Sequence, residues 1–266
     1  MRYLDELENK SIYIIREAYS RFKNIALLWS IGKDSTTLLW ICCKAFFGKI
    51  PFPVIHIDTT FKFKEIYEFR DRYSKNWGLN LIIVKNKEAL ENNIAPLKEK
   101  FQCCNSLKTE PLKMALKQFN FQALLLAIRR DEHGIWAKER YFSPRDSNFI
   151  WNYQNQPIEP WENYKTGIGE SRHFRIHPML HWTELDILKY IQKERIPIVN
   201  LYFAKNGKRY RSIGCEPCCE PVNSKAGTIN KIIKELEITS ISERSGRAQD
   251  KENTYTMQKL RSLGYM

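Results

Sequence analysis

Hydrophobic and polar positions along the first 128 residues switch between two periods, which predicts alternating helices and strands. Apolar residues recur at helical spacing in residues 2–22 and predict an amphipathic helix, through Leu4, Leu7, Ile12, Ile15 and Tyr19. Apolar runs predict strands at 25–30, 53–58, 79–84 and 121–128. Between them, apolar residues at helical spacing predict helices at 34–47, 64–77 and 108–119. This alternation is typical of βαβ units, so we expect an α/β fold with a parallel sheet covered on both faces.

The pattern is lost between residues 129 and 172, a stretch rich in Arg, Asp, Glu, Asn, Pro and Trp. Long loops in compact domains are usually functional or disordered. The aromatic residues of this stretch favour an ordered, functional loop: Tyr141, Phe142, Trp151 and Trp161.

Regular patterns return after this stretch. Residues 173–180 predict a further strand, and residues 182–196 predict a helix with Thr183 at its N-cap. A last helical pattern lies near residues 228–236. We expect one α/β domain over residues 1–200, with a C-terminal extension, residues 201–266, packed on it.

The segment Ser-Ile-Gly-Lys-Asp-Ser places polar residues between the first predicted strand and its following helix. A helix start offers unpaired N–H groups and the positive end of the dipole, which together favour a phosphate. Gly32 lets the backbone approach a ligand, Ser30 and Ser35 add hydroxyl donors, and Lys33 adds a charge. The segment therefore predicts a phosphate site, with an ordinary Ser-capped turn as the alternative. It is not a P-loop, because G-x-x-x-x-G-K-[ST] is absent.

Composition narrows the class of protein. The 43 Lys and Arg against 30 Asp and Glu give a net charge of +13, which favours an anionic partner without choosing among nucleotide, oxyanion and RNA. The apolar runs are too short to cross a bilayer. The first residues, MRYLDELENK, lack the apolar stretch of a signal peptide, so we expect a cytoplasmic protein without a membrane partner.

Seven cysteines stand at positions 42, 43, 103, 104, 215, 218 and 219. An odd number without a secretion signal argues against a disulfide framework. Cys42 and Cys43 fall in an apolar helical pattern and are expected in the core.

Four separated motifs resemble one family. SIGKDS, at 30–35, resembles the PP-loop of the ATP pyrophosphatases, which is usually written SGGKDS. The other three are PFPVIHIDTTFKFKEIYEFRDRY at 51–73, IRRDEHGIWAKERYFSPRD at 128–146 and SERSGRAQDKENTYTMQKLRSLGY at 242–265. Together they resemble the small, catalytic subunit of bacterial sulfate adenylyltransferase, from about residue 5 to the end.

The resemblance implies a fold, a reaction and its ligands. The fold is the Rossmann-like parallel sheet of the adenine nucleotide alpha hydrolase (PP-loop) type. The reaction converts ATP and sulfate to adenosine 5′-phosphosulfate and pyrophosphate, with Mg²⁺ on the triphosphate. The implied partners are ATP, sulfate, a GTPase large subunit and further copies of the chain.

The resemblance also implies the site residues. Those that bind the nucleotide are Ser30, Gly32, Lys33, Asp34, Ser35 and Asp58. Those that bind the oxyanion are Arg129, Arg130, Lys138 and Arg140, since guanidinium groups suit bidentate contact. Those expected to act in catalysis are Lys33, Arg129 and Arg130. The structural alternative for the arginine cluster is a loop held by salt bridges to Asp131, Glu132 and Glu139.

The sequence departs from this family in two places. Between NLYFAKNGK and RYRSIGC the chain is a few tens of residues shorter than a typical small subunit, which puts the GTPase partner in doubt. The cysteines resemble the CC…C-x-x-C pattern of the iron–sulfur adenylylsulfate reductases. Cys103, Cys104, Cys215 and Cys218 are therefore expected to hold a [4Fe–4S] cluster, or else zinc, with buried packing cysteines as the alternative.

Three other functions are alternatives to the adenylyltransferase. A reductase is disfavoured, because the C-terminal LRSLGYM carries no cysteine and the PP-loop is intact. An iron–sulfur-dependent PP-loop sulfurtransferase would adenylate a tRNA base or a small molecule before sulfur insertion, and it fits the PP-loop, the cysteines and the charge. A non-catalytic nucleotide-binding homologue fits least, because the polar residues that catalysis would use are present.

Overall fold

A computed structural model describes residues 2–96, 99–167, 172–248 and 256–265. Its centre is a six-stranded sheet with the strand order β3-β2-β1-β4-β6-β5. The strands are β1 (Ile25–Leu28), β2 (Val54–Ile57), β3 (Leu81–Val84), β4 (Ala123–Leu125), β5 (Phe142–Arg145) and β6 (His173–Ile176). All pairings are parallel except that of β5 with β6. The predicted parallel α/β sheet is therefore confirmed.

Strand β5 was not predicted, because it lies in the stretch where the pattern is lost. Its four residues include Pro144, which has no N–H for a strand ladder, and proline in sheets is largely confined to edge strands. Pairing with β6 holds it at the sheet edge, with Phe142 opposite Ile176. This antiparallel partner lies about 30 residues further along the chain, so no local signal marks the strand.

Helices cover the sheet. They are α1 (Arg2–Arg21), α2 (Lys33–Ala45), α3 (Lys64–Asn76), α4 (Lys87–Glu91), α5 (Lys100–Cys104), α6 (Glu110–Gln118), α7 (Glu184–Glu194), α8 (Ile229–Ile238) and α9 (Thr256–Ser262). A π-helical turn, Asn105–Thr109, joins α5 to α6. The predicted helix at 108–119 therefore has an additional turn and helix before it, in a polar segment without apolar periodicity.

The core lies on both faces of the sheet because successive side chains of a strand point to opposite faces. Leu27 of β1 belongs to the larger apolar cluster, together with Ile14 of α1. Leu28 belongs to the cluster on the other face, together with Leu112 of α6. All four residues of β1 are buried, which is typical of a central parallel strand.

The predicted cap of α7 is confirmed. The Asp186 N–H donates to the Thr183 hydroxyl at 3.2 Å, and the Thr183 N–H donates to the Asp186 carboxylate at 2.9 Å. This reciprocal pair is a capping box, which satisfies two N–H groups at the helix start.

The C-terminal residues share the core of the rest of the chain. Ile232 and Ile233 of α8 and Leu260 of α9 belong to the larger cluster. A small hairpin pairs β7 (Lys208–Arg209) with β8 (Val222–Asn223). Within the described residues, no helix has the length and apolar character that crossing a bilayer requires.

Candidate active site

The carboxyl ends of β1 and β4 lie side by side at the point where the strand order of the sheet reverses. The chain proceeds from β1 to β2 and β3 on one side, and then returns to β4 on the other side of β1. Ligands of open α/β sheets bind at such a switch point. The residues that follow both strands, 30–35 and 126–128, line one cavity here, except Ile31.

The PP-loop, residues 30–35, presents donors to this cavity. Helix α2 begins at Lys33, and its N-cap residue, Gly32, has no side chain to cap it. The Lys33 N–H donates to the Tyr202 hydroxyl at 2.9 Å, while the hydroxyls of Ser30 and Ser35 lie 3.0 Å apart. A helix start with hydroxyls beside it and glycine at its N-cap is suited to an anion.

The strained residue of the loop is Ile31 rather than Gly32. Ile31 has a φ of 67°, a left-handed conformation that costs a β-branched residue about 1–3 kcal/mol. Gly32 has an ordinary φ of −72°. Its contribution is space, because an added Cβ would lie 3.4 Å from the Ser30 hydroxyl and 3.5 Å from that of Tyr202.

The Lys33 amine is buried among carboxylates. It pairs with Glu243, with Asp34 at 3.1 Å and with Glu184 at 3.9 Å. Burial alone would lower the pKa of Lys33, but these three charges raise it well above the usual value. Burial opposes ionisation of Glu243 as well, yet the charges of Arg129 and Lys33 hold its pKa at about 2. Both groups are therefore charged at neutral pH.

Arg129 lies beneath the loop and is fully buried. Its guanidinium pairs with Asp34 at 2.8 Å, with Asp131 and with Glu243. A guanidinium held by three carboxylates is not available to an oxyanion in this arrangement. Arg129 instead fixes the carboxylates that surround Lys33.

Glu132 lines the cavity between these carboxylates and the C-terminal segment. Burial, and then the charge of Glu243, raise its pKa to about 7, although Arg244 lies 3.3 Å away. Part of the carboxylate charge facing the cavity is thus absent at neutral pH, which favours an anionic ligand.

The opposite wall of the cavity is basic. Lys62, Lys108 and Arg247 line it beside Gly214. Lys108 and Arg247 are buried, and within the described part of the chain none of the three cations forms a salt bridge. Burial, and repulsion from Lys108 and Arg247, lower the pKa of Lys62.

Two contacts hold this basic wall in place. The Lys108 ammonium donates to the Tyr265 hydroxyl at 3.3 Å. The Arg247 guanidinium lies against Gly214, where an added Cβ would come within 2.4 Å of it. The Arg247 Nε is buried without a hydrogen-bond partner. Buried cations with unused donors are suited to binding an oxyanion.

The four cysteines predicted as metal ligands lie in one neighbourhood beside this wall. Cys103 and Cys104 end α5, while Cys215 and Cys218 stand at a 3₁₀ turn, and all four are buried. Burial and the neighbouring Cys104 raise the pKa of Cys103 to about 12.

Cys215 differs from the other cysteines. Burial would raise its pKa, but the charges of Lys108 and Lys62 and a 3.2 Å hydrogen bond with Thr59 lower it to about 7. Among the described residues, no three His, Cys, Asp or Glu side chains are close enough to hold a metal ion. The arrangement therefore does not support the predicted cluster. Cys42 lies in the core, as expected.

In this structure the side chains of the other predicted oxyanion residues do not join Arg129 in one cluster. Arg130 and Arg140 line a separate cavity of about 350 Å³, where the Arg130 guanidinium lies 5.3 Å from the centre of the Tyr141 ring. Lys138 is exposed. The four residues are close in sequence, but the 3₁₀ turn over Trp136–Lys138 and strand β5 carry their side chains in different directions.

Asp58 directly follows β2 but does not line the main cavity. Its carboxylate accepts from the Thr60 N–H at 2.8 Å and the Tyr67 hydroxyl at 3.0 Å, and it pairs with Lys85 at 2.9 Å. Burial would raise the pKa of Asp58, but these contacts lower it. In this arrangement the carboxylate holds the turn that leads to Lys62.

Sequence reasoning did not assign several residues of the cavity: Lys62, Lys108, Tyr202, Glu243 and Arg247. Three of them lie in motifs that were recognised as belonging to the family, FKFK and SERSGR, yet no role was derived for them. Their chemistry becomes visible only when α5, the PP-loop and the C-terminal turn meet. The part of the last motif at 249–255 lies outside the described residues.

Comparisons with known proteins agree with this geometry. Residues 24–221 match the phosphoadenosine phosphosulfate reductase domain family. Sulfate adenylyltransferase subunit 2 of Sulfurimonas denitrificans is 38% identical over 296 residues, covering 100% of this chain and 98% of the relative. The chain belongs to the sulfate adenylyltransferase subunit 2 family. A second member, from Saccharophagus degradans, is 39% identical with the same coverage of both chains.

Solved structures share the fold of this subunit family. A phosphoadenylyl-sulfate reductase from Candida auris, in a phosphate complex, superposes with a TM-score of 0.59 at 18% identity, over 84% of this chain and 97% of that one. FMN adenylyltransferase from Candida glabrata, in complex with ATP, gives a TM-score of 0.59 at 16% identity, over 92% and 88%. These similarities confirm the predicted PP-loop type of Rossmann-like sheet.

Proposed function

We propose that this chain is the catalytic subunit of a sulfate adenylyltransferase, which converts ATP and sulfate to adenosine 5′-phosphosulfate and pyrophosphate. The observation that carries the proposal is one cavity with a PP-loop at one wall and three cations at the other, two of which are buried. Membership of the subunit 2 family supports the same activity, since its members carry that name.

The PP-loop holds the triphosphate in this proposal. The hydroxyls of Ser30 and Ser35, the start of α2 and the Lys33 ammonium provide donors for the leaving phosphates. Gly32 leaves room for them, and Asp34 fixes the Lys33 amine.

Sulfate binds to Lys62, Lys108 and Arg247. One sulfate oxygen attacks the α-phosphorus, the new P–O–S bridge forms, and the bond between the α-phosphorus and its bridging oxygen to the β-phosphate breaks. Pyrophosphate carries away the electron pair. No proton need move, because both reactants are anions, so catalysis consists of positioning and charge stabilisation. Arg129 positions the carboxylates around Lys33, and Asp58 positions the turn that bears Lys62.

Mg²⁺ fits the acidic side of the cavity. Magnesium is usually held by one or two carboxylates together with phosphates and water. Asp34 and Glu132 line the cavity on the PP-loop side. Bound there, the ion would offset charge on the triphosphate.

A [4Fe–4S] cluster, with zinc as the other candidate, stays a proposal for Cys103, Cys104, Cys215 and Cys218. The convergence of the two cysteine pairs and the cations beside Cys215 support it, while the spacing of the side chains does not. The activity needs no electron transfer, so a cluster would tie the turn at Cys215 to α5.

A large subunit is proposed as the partner, because the relatives are named as subunit 2. Against this partner, the chain is shorter than a typical small subunit between Lys208 and Arg209. A two-residue hairpin turn lies next to this point, where Asn206 and Gly207 adopt positive φ values of 53° and 78° between the paired residues Lys205 and Lys208. Co-purification tests this partner. A complex of the chain with the large subunit supports the proposal, and a chain that associates only with copies of itself contradicts it.

The test of the activity is pyrophosphate release from ATP with and without sulfate. Purified chain, alone and with its large subunit, is incubated with Mg²⁺, ATP and an excess of pyrophosphatase, and phosphate is counted. We expect release only when sulfate is present. Release that is independent of sulfate, or no release under either condition, contradicts the proposal.

A further inference from the structure

Glu243 occupies the Lys33 ammonium, the charged group of the PP-loop that would bind a phosphate. One carboxylate oxygen of Glu243 pairs with this ammonium, and the other pairs with the Arg129 guanidinium. Glu243 is only 8% exposed, so both pairs are buried. A carboxylate and a phosphate oxygen compete for the same ammonium donors.

The cavity also has little free space beside the PP-loop. Its volume is about 150 Å³, whereas pockets for small molecules and cofactors usually measure about 300–1,000 Å³. Movement of a wall would enlarge it. The wall opposite the loop is formed in part by the 3₁₀ turn Glu243–Gly246 and by Arg247.

Backbone pairing anchors the end of this turn. The Glu220 N–H donates to the Gly246 carbonyl at 2.9 Å, and Arg247 forms a bridge with Cys219. At its start, Glu243 pairs with Lys33 and Arg129, and Arg244 pairs with Glu132 at 3.3 Å. Loss of the Glu243 pairs would leave Arg244 and the pairing at 219–220 to hold the turn.

Release of Glu243 leaves no buried cation without a partner. Lys33 keeps Asp34 at 3.1 Å and Glu184 at 3.9 Å. Arg129 keeps Asp34 at 2.8 Å and also Asp131. Both cations can therefore lose Glu243 and still keep a carboxylate partner. Removal of a sole partner would instead leave a buried charge unpaired, at high cost in free energy.

We propose that Glu243 is a positioning residue which the triphosphate of ATP displaces from Lys33, so that nucleotide binding removes one of the contacts that hold the turn over Glu243–Gly246. This inference rests on the proposed function and adds to it a contact that must open before a phosphate can reach the Lys33 ammonium.

The first test compares binding of the non-cleavable analogue AMPCPP, with Mg²⁺, to the wild type and to Glu243→Gln by calorimetry. Removing an internal competitor that makes charged hydrogen bonds should tighten binding by about fivefold or more. A merely structural role would weaken binding instead. Glu235→Gln is the matched control, because it takes a carboxylate from the buried Arg209 outside the cavity, and we expect its Kd to stay within about twofold.

The second test does not depend on a variant. In a crystal structure of the wild type with AMPCPP, a phosphate oxygen should replace Glu243 on the Lys33 ammonium. Unchanged or weaker binding by folded Glu243→Gln, or a Glu243 that keeps its pair with Lys33 beside bound AMPCPP, overturns this inference and leaves the proposed function standing. A wild type that binds no AMPCPP overturns both.

Discussion

Lys33 and Glu243 form a buried ion pair between two segments that are 210 residues apart in the chain. Lys33 begins the helix after the PP-loop, and Glu243 begins a C-terminal turn. The pair connects the wall that receives a triphosphate to the wall that carries arginines. The contact between the two walls therefore depends on whether the Glu243 carboxylate or a phosphate pairs with the Lys33 ammonium.

Replacing Lys33 with alanine should lower turnover strongly. A charge contact to the phosphates at the transition state is worth ~3 kcal/mol, so kcat should fall about a hundredfold with the fold intact. Lys44→Ala is the control, since Lys44 lies on the same helix but pairs with Glu8 and Glu194 away from the cavity. A Lys33→Ala enzyme with the wild-type rate would remove the PP-loop from the mechanism.

Lys108→Ala should act on sulfate and spare ATP. Loss of a buried ammonium from the basic wall should raise the KM for sulfate about tenfold or more, with the KM for ATP changed little. Lys113→Ala, which removes an ammonium paired with Glu110 on the outer side of α6, is the matched control. Equal increases in both KM values would place Lys108 on the nucleotide instead.

Lys33 and Lys108 also show which parts of the site the sequence could predict and which it could not. Strand β1, the PP-loop and α2 are contiguous, so the local pattern of LLWSIGKDSTTLLW was enough to predict them. The cap of α7 was predictable for the same reason, because Thr183 and Asp186 are three residues apart.

Lys108 and Arg129 show the limit of that reasoning. Lys108 was predicted to begin a helix, but its local sequence does not place it in the cavity, which it reaches from the π-helical turn that joins α5 to α6. Arg129 was predicted to bind an oxyanion, but it pairs with three carboxylates, two of them from distant segments of the chain. Sequence proximity to Arg130 gave no sign of this, since burial and pairing are tertiary properties.

Gly246→Ala should loosen the C-terminal turn. An added Cβ would lie 2.5 Å from the backbone carbonyl of Glu220, so one of the two segments must shift. Such overpacking typically costs about 1–3 kcal/mol and should lower the Tm by several degrees. At Gly227 an added Cβ meets only the Ala204 carbonyl at 3.8 Å, so Gly227→Ala should leave the Tm nearly unchanged. Equal Tm values for both variants would contradict the close contact.

Acid should destabilise the fold from about pH 6.5 downward. Burial lowers the pKa of His56 to about 4 and that of His177 to about 3, so both stay neutral in the folded chain. In the unfolded chain both titrate near pH 6.5, so the unfolded state binds more protons and stability falls as the pH falls.

Between pH 7 and pH 5 each such histidine should reduce the free energy of unfolding by about 2 kcal/mol. Urea midpoints at the two pH values measure this loss. His177→Gln should show a smaller loss than the wild type, whatever its stability at pH 7. A loss in His177→Gln that equals the loss in the wild type would mean that His177 is not held neutral in the folded chain.

The metal proposal is tested by the cysteines. Protein purified anaerobically should contain about four irons per chain if the four thiolates hold one cubane cluster, or one zinc ion in its place. Cys215→Ser should lose the metal, while Cys43→Ser, on α2, should keep it. Wild-type protein with neither iron nor zinc excludes both groups and leaves the adenylyltransferase activity untouched.

In the proposed reaction, sulfate that is bound in the same cavity as ATP attacks the α-phosphorus directly. Sulfate labelled with oxygen-18 tests this step: it is incubated with the enzyme, unlabelled ATP, Mg²⁺ and pyrophosphatase, and the nucleotide product is analysed by mass spectrometry. We expect adenosine 5′-phosphosulfate that retains every labelled oxygen, because the attacking oxygen becomes the P–O–S bridge. Unlabelled AMP as the only nucleotide product, formed by attack of water, would contradict it.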